Sequence, residues 1–184
     1  KNNLRTELNI PIDCYLIGSF QRDTEGNSIN NKTYLPKLEK GPDIFIQIIK
    51  KKKETIKNLK ILLTGRCRQY LMKKLDEINV EYIYYEMTDF NTLNKLYNCL
   101  DLYIVSSRIE GGPRAINECA LANVPIISSD VGIAQTILSK ESIFDINNLN
   151  TVFICKSNIE YAFNNVKKLN IPKYFYNFNQ LFFI

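Results

Sequence analysis

The sequence predicts an α/β protein: a parallel sheet of about six strands with helices on both faces. Three observations carry this. Short β-rich runs alternate with runs of helical period along most of the chain, and the connections between them are mostly short. The 184 residues, 45% hydrophobic and 23% charged, suit one domain with a real core, here taken as residues 1–184.

The elements follow in order. Residues 14–20 read as a strand. Gly41-Pro42-Asp43 then opens a helix, with Pro42 near its first turn and Ile44, Phe45, Ile48 and Ile49 forming its apolar stripe. Residues 59–65 make the next strand, 69–78 a helix and 80–85 a third strand. Asp89 is placed to cap a helix running to about residue 100, and residues 102–105 form a fourth strand. A helix is expected over 113–122, a strand over 124–128 and a short helix over 134–138. A weaker strand over 142–146 precedes a helix over 159–169, and a Phe/Tyr-rich tail closes the chain. No internal repeat is visible.

Residues 21–40 resist this compact pattern. They are polar, without periodicity, and longer than most connections within a domain, which marks a functional or unstructured loop. The loop follows the first strand, and open α/β sheets bind ligands at strand carboxyl ends. It is therefore read as functional.

Composition removes several function classes. Histidine is absent, so neither a Ser-His-Asp triad nor a His-ligated zinc site can be built from this chain alone. No D-x-D pair is present, and a dedicated metal site is not expected. There is no G-x-x-x-x-G-K-[ST] run and no G-x-G-x-x-G after the first strand. The five cysteines (Cys14, Cys67, Cys99, Cys119, Cys155) are scattered without C-x-x-C, as for reduced thiols of a cytoplasmic protein.

The net charge of +5 is modest. Lys50 to Lys53 form the one dense basic run, read first as a solvated helix end, with peripheral attachment to an anionic membrane left open. No aromatic-interleaved basic stretch suggests nucleic acid. No apolar window is long enough to span a membrane, and no cofactor is implied. The chain opens at Lys1 with no leader pattern, and is expected to be a segment of something longer.

The run Ser106-Ser107-Arg108-Ile109-Glu110-Gly111-Gly112-Pro113-Arg114-Ala115-Ile116-Asn117-Glu118 carries the chemistry. It leaves a buried strand, crosses a Gly-Gly turn and enters a helix. Two glycines let a ligand approach the backbone, and free N–H groups at a helix start suit anionic or hydroxyl oxygens. The glutamates at 110 and 118 can accept from hydroxyls of a nucleotide sugar. The residues alone also allow a plainer reading, with Gly-Gly-Pro a mere helix entry and Arg114–Glu118 a surface ion pair.

The spacing Glu110-x7-Glu118 after a strand ending in Ser-Ser-Arg resembles the signature of the group 1 glycosyltransferases, a retaining family of GT-B fold. Ala120 to Ile127 is similar to that family's small-residue helix end and Pro-led strand, and Ser129 to Ala134 to the turn after it. Pro36 to Asp43 resembles the Lys-Gly segment under the donor diphosphate. The resemblance runs from about residue 15 to residue 138.

It implies a Rossmann-like, donor-binding half of a GT-B enzyme, with a nucleotide-diphosphate sugar as substrate and transfer without metal. Glu110 would contact the donor sugar, Glu118 the ribose, and Gly111, Gly112, Pro113 and Arg114 would line the sugar and diphosphate. Lys40 would neutralise the diphosphate, whose charge grows as the glycosidic bond breaks, so that a fixed cation favours the transition state. Many relatives place an arginine after the glycine of the first strand, but here Ser19 follows Gly18. Arg22 is the substitute candidate cation, with Lys37 as its competitor.

Two segments are weaker candidates for the cleft: Thr64 to Arg68 after the second strand, and Tyr84 to Met87 after the third, near where the family holds the base. The tail over 171–184 resembles the family's closing segment, which packs on an N-terminal domain missing here. The expectation is therefore donor binding with little transfer by this chain alone, the acceptor unassigned. The alternatives are a non-catalytic nucleotide-sugar-binding module and another GT-B activity such as nucleotide-sugar epimerisation.

Overall fold

The computed structural model describes residues 1–26 and 34–169. The tail over 171–184 and part of the 21–40 loop lie outside the described residues. Six strands form one parallel sheet: β1 (Tyr15–Ser19), β2 (Leu59–Thr64), β3 (Glu81–Tyr85), β4 (Leu102–Val105), β5 (Ile126–Ser129) and β6 (Ile143–Phe144). Their spatial order is β3-β2-β1-β4-β5-β6. The direction of strand addition reverses between β1 and β4, the place where such sheets open a ligand crevice.

Both faces are covered, and the strands show how. Along β1, β2, β4 and β5 successive residues point to opposite sides. Leu16, Leu62, Tyr103, Val105 and Ile126 join one core, while Ile17, Ile61, Leu63, Leu102, Ile104 and Ile127 join the other. The first core packs beneath α1 (Asn2–Glu7), α4 (Phe90–Cys99), α5 (Arg114–Leu121), α6 (Ala134–Ile137) and α8 (Ile159–Lys167). The second lies beneath α2 (Pro42–Thr55), α3 (Gln69–Glu77) and α7 (Thr151–Ile154).

Helix ends are set by short polar residues. Asp89 accepts from Thr92 N at 2.8 Å at the start of α4, and Asn158 from Tyr161 N at 3.0 Å at the start of α8. Where glycine would ordinarily leave a helix, this chain uses asparagine. Asn9, Asn79 and Asn123 follow α1, α3 and α5 with φ between 51° and 54°.

The expected elements are present, with four differences, one of them the additional four-residue helix α7 (Thr151–Ile154). α1 is an additional helix, too short for its period to be read. It is held by the buried Arg5, which bonds the Cys99 carbonyl through Nε (2.9 Å) and Asp101 through Nη2 (2.7 Å). The last strand shrinks to two residues. Pro113 caps α5 rather than occupying its first turn, because its ψ of 112° is extended. Among the described residues no helix is long and apolar enough to cross a membrane. All five cysteines are free thiols, four of them buried.

Candidate functional site

A cleft of about 510 Å³ opens along the carboxyl ends of the strands, within the usual range for small-ligand sites. Phe20, Gln21 and Arg22 reach it from the end of β1, Thr64 from β2, Glu110, Gly112 and Pro113 from the turn after β4, and Arg114 from the start of α5. Phe90, Leu93 and Tyr97 of α4 and Ala115 and Glu118 of α5 close the opposite wall. Lys40 enters from the single 3-10 turn Leu38–Lys40 that precedes α2.

The seat of Lys40 is made by Gly41. This residue has φ +61°, and a Cβ on it would stand 1.8 Å from the carbonyl oxygen of Ser106. Only glycine lets the segment lie flat against the end of β4. The contact is extended by Arg108, whose N–H donates to the Glu39 carbonyl (2.8 Å) and whose guanidinium holds both oxygens of Asp43 (2.8 and 2.6 Å). That two-point hydrogen bond keeps the Asp43 carboxyl below the usual carboxylate range.

Two residues 70 apart in sequence therefore meet. Lys40 Nζ lies 2.7 Å from Glu110 Oε1, and Ser107 Oγ donates to Glu110 Oε2 at 2.7 Å. Gln21 ties the same corner together, donating to the Lys40 carbonyl at 2.8 Å, with its Oε1 3.2 Å from Ser107 Oγ. Ser107 is fixed in turn by Ser129 Oγ, which donates to its carbonyl at 2.6 Å. Gly132, with φ +52°, fits under the Gly111 carbonyl, which a Cβ would meet at 2.3 Å.

Glu118 stands on different ground. Tyr97 OH donates to its Oε2 at 2.6 Å, and the Tyr97 ring packs against Phe20 and Tyr103 with centroids 4.7 and 5.8 Å away. Burial pushes the Tyr97 hydroxyl far above its ordinary titration range, so it remains a donor at any physiological pH. The Arg114–Glu118 surface pair, the plain reading of that spacing, is not among the ion pairs of the described residues.

Of the residues singled out in the sequence, the cleft brings together Arg22, Lys40, Glu110, Gly112, Pro113, Arg114 and Glu118. Four others stand elsewhere. Ser19 is buried and its hydroxyl accepts from Arg68 at 3.1 Å. Gly18 lies inside β1 under Leu100 and Tyr103, where a Cβ would meet Leu100 at 2.5 Å. Lys37 pairs with Glu39 at 2.7 Å outside the cleft. Gly111 supports Gly132 rather than lining the wall. The weaker candidates divide: Thr64 lines the cleft, Arg68 is fully buried against Asp23, and the Tyr84 and Tyr85 hydroxyls donate to the Gly65 and Leu8 carbonyls.

Gln21, Ser107 and Tyr97 were not singled out individually. Ser107 lay inside the marked run, and Gln21 inside the marked loop. Tyr97 carried no signal, because a tyrosine on an amphipathic helix reads as core. Among the described residues, no group of three or more Asp, Glu, Cys or His side chains is arranged to hold a metal ion.

A doubly covered parallel sheet with its crevice at the β1/β4 reversal is a Rossmann-like domain. A family profile described as "Glycosyl transferases group 1" matches residues 33–159. The chain belongs to that family. Solved structures agree on the fold. Sucrose-phosphate synthase from Thermosynechococcus elongatus superposes with a TM-score of 0.73 at 17% identity, over 99% of this chain and 48% of that one. Anabaena HepE in complex with UDP-glucose gives 0.60 at 16%, over 94% and 48%. The C-terminal domain of a group 1 glycosyl transferase (LpcC) from Francisella tularensis gives 0.64 at 18%, over 94% and 91%. The chain thus spans about half the length of the first two and nearly all of the third. No curated protein sequence matches it.

Proposed function

We propose that this chain is the donor-binding domain of a retaining glycosyltransferase that takes a nucleoside-diphosphate sugar and needs no metal. The observation that carries the reading is the meeting of Lys40, Glu110 and Glu118 on one cleft, with the first turn of α5 between the two glutamates. Glu110 accepts from hydroxyls of the donor sugar, and Glu118 from the ribose diol. Lys40 and Arg22 face the diphosphate, joined by the N–H groups that open α5, which have no partner within their helix.

Lys40 and Glu110 are paired before a donor arrives. A diphosphate competes for the Lys40 ammonium, and release of the pair frees a Glu110 oxygen for the sugar. As the bond to the anomeric carbon breaks, charge gathers on the leaving diphosphate. Cations already in place then stabilise that state more than the bound donor. HepE, a structural relative, was solved with UDP-glucose, which makes UDP-glucose a reasonable first donor to try. The acceptor belongs to a second domain, so the chain alone binds donor and transfers poorly.

Calorimetric titration with UDP-glucose, GDP-mannose and the free diphosphates tests this, using wild type, Glu110→Ala and Glu118→Ala. The expected result is donor binding that each substitution weakens. Absence of binding by the wild type, or variants that bind as tightly as it does, would overturn the proposal. Efficient transfer by the isolated chain would overturn the part concerning the second domain.

A further inference from the structure

Behind the cleft wall lies a fully buried ion pair that the donor chemistry does not itself use. Arg68 and Asp23 are 0% and 1% exposed, and Arg68 Nε stands 2.5 Å from Asp23 Oδ2. We propose that this pair is the positioning device for the diphosphate end of the cleft, acting through Arg22; the inference rests on the donor-binding reading above.

The contacts of the pair show what it holds. Arg68 Nη1 donates to the Thr64 carbonyl at 2.7 Å and Nη2 to Ser19 Oγ at 3.1 Å, so one guanidinium clasps the ends of β2 and β1. Asp23 Oδ1 accepts from Thr24 Oγ1 at 2.7 Å and from Leu71 N at 3.2 Å. Thr24 Oγ1 accepts from Tyr70 N at 2.8 Å, which fastens the loop to the start of α3.

The backbone repeats the arrangement. Cys67 is held at φ +58°, an uncommon conformation for a residue with a Cβ, and its carbonyl accepts from both Asp23 N (3.2 Å) and Thr24 N (3.0 Å). Lys37 N donates to the Asp23 carbonyl at 2.8 Å, and Thr24 bridges to Pro36. Both stems of the long loop are therefore pinned at Asp23. The residue immediately before it, Arg22, lines the cleft, and Gln21 before that braces Lys40 and Ser107.

A buried ion pair is a poor way to gain stability, because desolvating two charges offsets much of their attraction. What it does well is fix one geometry. A guanidinium with three directed bonds permits one placement of Asp23, and a neighbouring side chain inherits that placement. Productive cation contacts need sub-ångström positioning. Arg22 is tied to the same pinned stem directly, its Nε donating to the Thr24 carbonyl at 3.2 Å.

The test measures UDP, GDP and ADP, each against its own monophosphate, by calorimetry on wild type, Asp23→Asn, Arg22→Ala and the double variant. Asp23→Asn is expected to weaken diphosphate binding about fivefold to tenfold and leave the monophosphate within about twofold, as lost positioning of one charged contact should do. In the Arg22→Ala background, Asp23→Asn should add nothing. Equal weakening of di- and monophosphate, or effects that add in the double variant, would overturn the proposal. Should Asp23→Asn unfold, Arg68→Lys keeps the charge, loses the fork and carries the same two criteria. A wild type without preference for any diphosphate takes the donor-binding reading down along with this one, whereas a preference untouched by either variant removes the positioning role alone.

Discussion

The two glutamates of the cleft are eight residues apart in sequence and are held in opposite ways. Glu110 sits in a turn, and its two oxygens are taken by an ammonium and a hydroxyl from Lys40 and Ser107. Glu118 sits on α5, with one oxygen held by a buried, neutral tyrosine. The first is bound to a charge that an anionic ligand competes for. The second is held by a donor that such a ligand has no means to displace. On the proposed donor-binding reading, one end of the site would exchange partners when a diphosphate arrives, while the other is arranged in advance.

The largest break in this comparison should come from Gly41→Ala. It places a methyl group into the Ser106 carbonyl and strains φ +61°, so it should cost on the order of 3 kcal/mol of stability. Chemical denaturation reads this directly, and an unchanged midpoint would mean that the Lys40 segment does not lie on β4 as described. The Tyr97–Glu118 side stands on different contacts and should retain its near-UV tyrosine signal in the fraction that stays folded.

Next comes Lys40→Ala, which leaves Glu110 without its cation and removes one from the proposed diphosphate site. Loss of a charged hydrogen bond predicts diphosphate binding weaker by about 10- to 100-fold. The Glu110→Gln, Lys40→Ala double variant should recover part of the stability lost on orphaning the carboxylate. Binding that survives Lys40→Ala unchanged would make the exchange of partners at this end untenable.

Tyr97→Phe should act more gently and only at the other end. Tyr97 acts on the ligand only through Glu118, so a loss of about 3- to 10-fold is expected for ribonucleotides, below that for a direct charged contact. Nucleotides lacking the 2′- and 3′-hydroxyls should show little difference between wild type and variant. Equal losses for both ligand classes would mean that Tyr97 supports the wall rather than orienting Glu118.

The smallest effect belongs to Asp43→Asn, which removes the carboxylate clasped by Arg108. Asp43 has its folded pKa lowered. Its contribution is therefore present above the ordinary carboxylate range and lost as pH falls through the lowered value. The pair is partly exposed, so about 0.5–1 kcal/mol is expected at neutral pH. Unfolding curves of wild type and variant should converge in acid, and a gap that persists there would assign the effect to something other than this charge.

Much of the fold was legible because its signals are local. Pro42 and the stripe over Ile44 to Ile49 fix α2, Asp89 caps α4, and the β4 run is apolar throughout. α1 was not, since six residues hold too few apolar positions to show a period and its anchor, Arg5, works through contacts 94 and 96 residues away. The candidate site divides along the same line. Glu110, Gly112, Pro113, Arg114 and Glu118 were legible as one contiguous run with a family resemblance. Ser19 stood next to the right glycine, yet its hydroxyl is taken by the buried Arg68, 49 residues further on, a contact that no local spacing announces.

By itself, then, the sequence determined the alternation of elements, the family and the two glutamates, because helix and strand periods and a short spaced motif are properties of neighbouring residues. Only the tertiary structure decided which partner each glutamate takes. Lys40 reaches Glu110, Tyr97 reaches Glu118 and Arg68 reaches Asp23 across 70, 21 and 45 residues. Those encounters depend on the strand order β3-β2-β1-β4, which the spacing of residues along a chain does not encode.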